Sequence, residues 1–450
     1  MLNVLNTIAA ISTASGVGGI GVVRVSGPKS QDILKKICSI VAQPRQAHFV
    51  NFKNKEGDIL DQGLVLFFPG PNSFTGEDVV EFQGHGGPVV LNSILNACLS
   101  LGASLAQPGE FTQRAYLNNK IDLVQAESVI DLINASTEQA AKSAINSLSG
   151  NFSNKINDLL KKLIELRMYI EACLDFPEED IDFISEGKVK EKLQALSKTM
   201  MEILNAATQG QLLRDGINIV LVGQPNVGKS SLLNQLSGED RAIVTEIPGT
   251  TRDAISSEIN LEGVPLHVVD TAGLRETDDV VEKFGIDRTW ASLEKAHIAL
   301  FMVEASSGIA KYEKFILGRL PAGIKKIWIF NKVDLLNEPA RKEISNGETI
   351  IYLSAKYGDG LELLKTHILN IVGKSQSLES SQDLFAARAR HLEALNFVNE
   401  ALKNSLLKLD SSELVAEELT LAQKALSTIT GEFSSDDLLG EIFSQFCIGK

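Results

Sequence analysis

Near-continuous apolar runs mark the middle of the chain. INIVLVG (217–223), LHVVD (266–270), IALFMVE (298–304), KKIWIFNK (325–332) and TIIYLSA (349–355) lack the apolar–polar alternation of a half-buried strand. Runs of this kind suit strands covered on both faces. The stretches between them carry helical spacing, so residues from about Asp215 to Gly373 are predicted to form a mostly parallel sheet with helices on both sides. Upstream, GGIGVVRVSG (18–27), GLVLFFPG (63–70) and DVVEFQGHGG (78–87) read as strands that alternate with short helical patterns such as SQDILKKICSI, giving an α+β expectation for the first 110 residues. Residues 111–210 and 380–450 are rich in helix formers with apolar residues at helical spacing. Phe176–Pro177 ends the first helical block and the acidic loop PEEDID follows. The simplest architecture is an α/β domain inserted into an all-helical one, with its two termini close together.

Composition narrows the classes. The 450 residues are 44% hydrophobic and 22% charged, a globular balance, and the formal net charge is −14. An acidic chain is a poor coat for nucleic acid by itself, because neutralising phosphate needs a basic surface. Cys38, Cys98, Cys173 and Cys447 form no CxxC pair, so neither a zinc site nor a disulfide framework is expected, and a reducing compartment fits. The N-terminus lacks a basic n-region, and no stretch approaches the roughly 18 apolar residues of a membrane span. These readings predict a cytoplasmic protein without a membrane anchor.

Gly223-Gln-Pro-Asn-Val-Gly228-Lys229-Ser230 matches G-x-x-x-x-G-K-[ST] and lies between a strand and a helical stretch, the context the motif requires. Its backbone N–H groups would wrap phosphates at a helix N-terminus, with Lys229 on the β/γ-phosphates and the Ser230 hydroxyl on Mg²⁺. Gly16–Gly21 formally matches GxGxxG but precedes a strand instead of opening a helix, so a dinucleotide loop is rejected. Asn331-Lys332-Val333-Asp334 ends a strand, and a carboxylate at Asp334 can accept from both N1–H and the exocyclic amine of guanine, a pair adenine does not offer. Ser354-Ala355-Lys356 is the companion base loop. Asp270-Thr271-Ala272-Gly273 ends another strand, placing Asp270 to hold Mg²⁺ through water and the Gly273 N–H to reach the γ-phosphate. Together the motifs predict a GTPase domain. Ras-like enzymes orient the attacking water with a Gln after the DxxG glycine; here that position is Leu274. Glu276, Asp278, Asp279 and Glu282 follow, either as replacements or as a solvated loop. The C-terminal FCIGK is a poor prenylation box. It reads as a frayed tail or as a segment that hides FSQFCI from water.

GQPNVGKSSLLN, AIVTEIPGTTRD, DTAGLRETDDVVEKFGIDR and FCIGK, with TGEDVVEFQGHGGP and LNNKIDLVQAES, resemble the MnmE/TrmE family of tRNA-modification GTPases across nearly all of the chain. The resemblance implies four segments: a folate-binding-like dimerisation domain at 1–118, helical parts at 119–214 and 376–450, and an inserted Ras-like P-loop domain at 215–375. It implies that Glu282 positions the hydrolytic water and that Thr251 joins Ser230 on Mg²⁺. K⁺ would be held by Asn226, Thr245, Ile247 and Thr250. The nucleotide set would comprise Asn226, Val227, Gly228, Lys229, Ser230 and Ser231, the loop Thr245, Glu246, Ile247, Pro248, Gly249, Thr250 and Thr251, then Asp270, Thr271, Ala272 and Gly273, and the base loops Asn331, Lys332, Asp334, Ser354, Ala355 and Lys356. It further implies a tetrahydrofolate site at Arg24, Glu81, Lys120 and Lys450, with Cys447 presented for the modification. The implied reaction adds a (carboxymethyl)aminomethyl group at C5 of the wobble uridine of certain tRNAs from 5,10-methylene-tetrahydrofolate. A homodimer would share this work with a flavin-dependent MnmG/GidA-like partner that carries FAD. Arg252 and Arg275 receive no role. A regulatory GTPase in ribosome assembly or stress response would share the nucleotide motifs but have no use for a folate pocket or a terminal cysteine.

Overall fold

The computed structural model describes residues 6–175, 188–238, 256–270, 296–309, 311–321, 323–345, 347–371, 384–431 and 436–449. Two compact units emerge, one of residues 1–130, 153–178 and 411–450, the other of residues 131–152 and 179–410.

The first unit holds a six-stranded sheet built from β1 (Ile8–Ile11), β2 (Gly18–Ser26), β3 (His48–Lys53), β4 (Ile59–Phe68), β5 (Val79–Gly86) and β6 (Ser104–Leu105), in the order β3-β4-β5-β2-β1-β6. All pairings are antiparallel except β1 with β6. Val23, Val25, Val80 and Phe82 point to one face and bury against Ile33, Ile37, Ile94 and Cys98 of the helices Ser30–Cys38 and Pro88–Ser100. The glycine run that opens β2 belongs to this sheet. Gly21 faces Leu91, and a Cβ there would collide with that side chain, so packing within the sheet accounts for Gly21.

Helices complete the unit. In Leu123–Ile133 the apolar spacing is interrupted by Ser128, which is nevertheless buried, its hydroxyl donating to the Val124 carbonyl at 2.7 Å. Leu123, Ala126 and Ile130 pack on Ile442, Phe443 and Phe446 near the chain's end. The helix Asn151–Asp175 runs to the last described residue before Phe176–Pro177, which lie outside the described residues.

The second unit contains β7 (Ile217–Val222), β8 (Ser256–Leu261), β9 (Val264–Asp270), β10 (Ile298–Glu304), β11 (Lys325–Asn331), β12 (Arg341–Ser345) and β13 (Glu348–Leu353). Their order is β12-β13-β11-β10-β7-β9-β8, parallel through the five central strands and antiparallel at both edges. The five apolar runs of the sequence are those five strands. Alternate residues feed two separate cores, Ile219, Leu221, Leu300 and Ile329 on one side and Val220, Val222, Phe301 and Trp328 on the other. Burial on both faces removes the need for alternation. Leading into β7, the helix Val189–Asp215 buries Leu193, Leu196, Met200, Ile203 and Ala207, a stripe at helical spacing, and packs along the helix Ala389–Leu407. No helix among the described residues is long and apolar enough to cross a membrane.

Candidate functional site

Because the five central strands run the same way, their C-terminal ends form one edge of the sheet, and the loops leaving them carry the nucleotide motifs. β7 lies between β9 and β10, where the chain's progression across the sheet reverses, and such switch points open a crevice for ligands. The loop after β7 enters the helix Lys229–Ser237 through Asn226 and Gly228, both in the left-handed region at φ 66° and 106°. Gly228 is required there, since a Cβ would strike the Asn331 amide. Val227 is buried, while Asn226, Ser230 and Ser231 are exposed on the open side of the loop. Lys229 is buried and curls back, its Nζ donating to the Gly223 carbonyl at 2.7 Å and to the Gln224 carbonyl at 3.2 Å.

Asn331 joins two of these loops. Its Nδ2 donates to the Val227 carbonyl at 2.7 Å and its Oδ1 accepts from the Ala355 N–H at 2.8 Å, so one buried amide fixes the phosphate loop against the base loop. Ser354 Oγ donates to Asp334 Oδ1 at 2.6 Å and orients that half-buried carboxylate. Lys332, at φ 66°, places its Nζ 3.1 Å from Glu304 Oε2 at the end of β10. Hydrogen bonds from Lys332 and Ser306 hold the Glu304 carboxyl below the usual range. The Lys356 ammonium lies 4.9 Å from the centre of the Tyr357 ring. Asp270 closes β9 in register with Leu221 of β7.

Thr245, Glu246, Ile247, Pro248, Gly249, Thr250, Thr251, Thr271, Ala272, Gly273, Glu282 and Lys450 lie outside the described residues, as does the side chain of Asp270.

In the first unit, Arg24 and Glu81 stand directly opposite on β2 and β5. Arg24 Nε and Nη2 both donate to Glu81 Oε1, at 3.0 and 2.8 Å. The guanidinium lies 5.7 Å from the Phe74 ring centre and 5.8 Å from that of Phe111. Lys120 approaches the same 74–76 loop, its stem against Gly76. Cys447 is exposed on a tail laid over this unit. The Gly109 N–H donates to the Cys447 carbonyl at 3.4 Å, Ile448 bridges Pro108, and Phe446 is buried beside Phe443.

Three features had no sequence signal. Glu304 closes an apolar run and gives no hint that it reaches Lys332. Phe111 opens a helical stretch, and neither it nor Phe74 signals a contact with Arg24. His85 reads as a loop histidine between glycines, yet its Nδ1 lies 2.7 Å from Asp61 Oδ1 and its N–H donates to Asp61 Oδ2 at 2.8 Å. Burial pushes the Asp61 carboxyl up, and those hydrogen bonds with one from Gln62 outweigh it, leaving the group lowered.

Residues 7–120 match the family described as GTP-binding protein TrmE N-terminus, and residues 123–447 match the MnmE helical domain. The tRNA modification GTPase MnmE of Nitrosomonas eutropha is 52% identical over 448 residues, 99% of each chain. The chain belongs to the MnmE family. Its relative from Coxiella burnetii, also a tRNA modification GTPase MnmE, is 54% identical over 450 residues, covering 99% of this chain and 98% of the relative. A crystal structure of Era from Aquifex aeolicus is 26% identical over 41% of this chain and 65% of that one, with a TM-score of 0.28. Within the MnmE family match, the helical-domain segment brackets the seven-stranded sheet on both sides in sequence.

Proposed function

We propose that this chain hydrolyses GTP at the C-terminal edge of the seven-stranded sheet and uses that cycle in modifying the wobble uridine of certain tRNAs. The observation that carries the nucleotide half is Asn331, whose single amide fastens the phosphate loop to the base loop. An edge assembled in this way has a phosphate end and a base end at fixed separation. At the phosphate end, the N–H groups of residues 226–231 wrap the triphosphate and Lys229 exchanges its two loop carbonyls for β/γ oxygens. At the base end, Asp334 accepts from N1–H and the exocyclic amine of guanine while Ser354 holds its Oδ1. Lys332 lies along the nucleoside, and Ala355 and Lys356 close the base loop.

Mg²⁺ suits this donor set. Among the described residues no cluster of His, Cys, Asp or Glu could cage a metal, and an ion that keeps waters and binds through phosphates needs only the Ser230 hydroxyl, Thr251 and water-bridged Asp270. K⁺ would take oxygen from Asn226, exposed on its left-handed turn, with Thr245, Ile247 and Thr250. Such a cation offsets charge developing on the phosphoryl oxygens. Glu282 orients the water in place of the glutamine that Leu274 replaces. The remaining nucleotide contacts in this reading are Glu246, Pro248, Gly249, Thr271, Ala272 and Gly273.

In the first unit Arg24, Glu81 and Lys120, with Lys450, hold 5,10-methylene-tetrahydrofolate, which supplies the one-carbon unit. The Arg24–Glu81 pair fits a heterocycle that both donates and accepts, and the Phe74 and Phe111 rings beside it suit a flat ring. Cys447 serves the modification. A second copy covers the N-terminal sheet, where the Phe49–Leu64 cross-strand pair stands exposed. FAD and much of the tRNA contact belong to a flavin-dependent MnmG/GidA-like partner, in keeping with a chain of net charge −14.

One assay tests the nucleotide reading. GTP turnover by the full chain should rise at least about tenfold when K⁺ replaces Na⁺, and Glu282→Ala should abolish it with GTP affinity kept. Equal rates in the two salts would remove the cation role. Parental turnover in Glu282→Ala would remove the carboxylate. Failure of 5-formyl-tetrahydrofolate to bind the full chain would favour a regulatory GTPase instead.

A further inference from the structure

The hairpin β8–β9 occupies a special place in the second unit. It follows residues 245–251 in sequence and ends at Asp270, immediately before Thr271. Leu261 pairs with Val264, so the turn is the two residues Glu262–Gly263, at φ 48° and 91°, the tight primed turn that matches strand twist. Asn260 Oδ1 accepts from the Gly263 N–H at 2.7 Å and stiffens it.

This turn is gripped from the helical segment. Thr137 is buried, N-terminal cap of the helix Glu138–Leu148, and its hydroxyl does two things. Oγ1 accepts from the Ala140 N–H at 3.1 Å, capping the helix, and donates to the Gly263 carbonyl at 2.9 Å. A hydroxyl has one proton to give, so this one is fully committed. Gln139 fills the space where a Cβ on residue 263 would stand. The same helix fixes the chain where it re-enters the helical segment. Ala386 N donates to the Ser143 carbonyl at 3.4 Å, and Asn146 Nδ2 to the Leu384 carbonyl at 3.3 Å.

β9 is therefore held at both ends. At one end lies Thr137; at the other, Asp270 sits in register with Leu221, the residue before the strand terminus that feeds the phosphate loop. A strand transmits displacement along its axis because its ladder hydrogen bonds fix register. From the turn to Asp270 the strand runs roughly 20 Å at about 3.4 Å per residue.

We propose that Thr137 is a positioning residue for GTP hydrolysis: its hydroxyl clamps the β8–β9 turn and so sets the end of β9, at Asp270, against β7 and the phosphate loop that β7 feeds. The proposal rests on the nucleotide reading above. It also gives the helical segment a direct grip on the nucleotide site, since whatever shifts the helix Glu138–Leu148 shifts the hairpin.

Three substitutions in the full-length chain separate the two jobs of the hydroxyl. Thr137→Ser keeps cap and clamp. Thr137→Asp keeps the cap but, ionised, has no proton for the Gly263 carbonyl. Thr137→Val loses both. Steady-state GTP hydrolysis and equilibrium binding of a fluorescent GDP analogue are measured for each. The expected result is a kcat about fivefold or more lower in Thr137→Asp and Thr137→Val, with GDP affinity held within about twofold and Thr137→Ser at the parental rate. A parental kcat in Thr137→Asp overturns the clamp, including the case where Thr137→Val alone falls, because the cap then suffices. Equal loss of kcat and GDP affinity also overturns it, pointing to general damage to the fold. A parental chain that hydrolyses no GTP would instead sink the underlying nucleotide reading.

Discussion

Asp334 shows how much a single carboxylate decides. It is half-buried and its Oδ1 already accepts from Ser354, and in the proposed reading its remaining lone pairs receive the base. A site built to receive two donors rejects a base that lacks them, because the carboxylate is then left desolvated and unpaired. Asp334→Asn replaces an acceptor with a donor at the point where guanine donates. GTP affinity should fall by about 100-fold or more, and xanthosine triphosphate, whose C2 oxygen accepts, should bind in its place. Competition binding with both nucleotides checks this, and a retained preference for GTP would remove Asp334 from base recognition. The motif around Asp334 was legible because its chemistry is local: four neighbouring residues at a strand end. Glu304 was not legible, although it sets Lys332, because the two are distant in sequence and meet only when β10 lies beside β11. Thr137 was hidden for the same reason, its partner being a backbone carbonyl that carries no sequence signature.

At the scale of elements, legibility followed burial. The five central strands of the seven-stranded sheet were readable because both faces are covered and every position is apolar. β12, RKEIS, was not, since it is an edge strand whose residues are mostly exposed, and the Arg341 guanidinium that lies 3.8 Å from the centre of the Tyr352 ring on β13 meets it only once the two strands pair. β3 and β1 were missed likewise, one half-exposed and the other only four residues long. Close approaches to a helix from a distant segment were also invisible. Gly210 sits inside the helix Val189–Asp215, where propensity alone favours alanine by about 1 kcal/mol. Yet a Cβ at Gly210 would run into the Phe385 carbonyl, at the segment by which the chain re-enters the helical part. That carbonyl cannot retreat easily, since Phe385 stacks on Phe152 with ring centres 5.1 Å apart and Arg388 donates to Asp131 at 2.8 Å. Arg214, near the end of the same helix, donates to the same Asp131 oxygen at 3.0 Å, so the exit and return of the chain are tied to one carboxylate. Gly210→Ala should therefore destabilise this unit by about 1–3 kcal/mol, opposite in sign to its helix propensity. Calorimetry on the full chain reads the effect, and a transition at or above the parental temperature would show that the crossing yields without strain.

Across the whole molecule, the two sets of chemistry are built from separate parts of the chain. The nucleotide loops belong wholly to the unit of residues 131–152 and 179–410, while Arg24, Glu81 and Cys447 belong to the other. The tail makes the cleanest test. Its backbone is fixed by Gly109 and by the Ile448–Pro108 bridge, and Phe446 is buried, so Cys447 is an exposed cysteine on an anchored segment. Gly449, at φ 100°, lies so close to the Ile11 carbonyl that no larger residue would fit, and the anchoring extends past the cysteine. A segment held on both sides of an exposed cysteine presents that thiol in a fixed place. Serine in its position changes little in size and nothing in the anchoring contacts, yet lacks a thiolate's nucleophilicity. Cys447→Ser should leave GTP turnover and thermal stability at parental values while lowering modified wobble uridine in tRNA by about tenfold or more. Nucleoside analysis of tRNA from cells carrying only the variant gives the readout. Full modification in that strain would make the cysteine a surface residue of the anchor and no part of the chemistry. A fall in GTP turnover alongside the modification would mean that Cys447 has a role besides the modification.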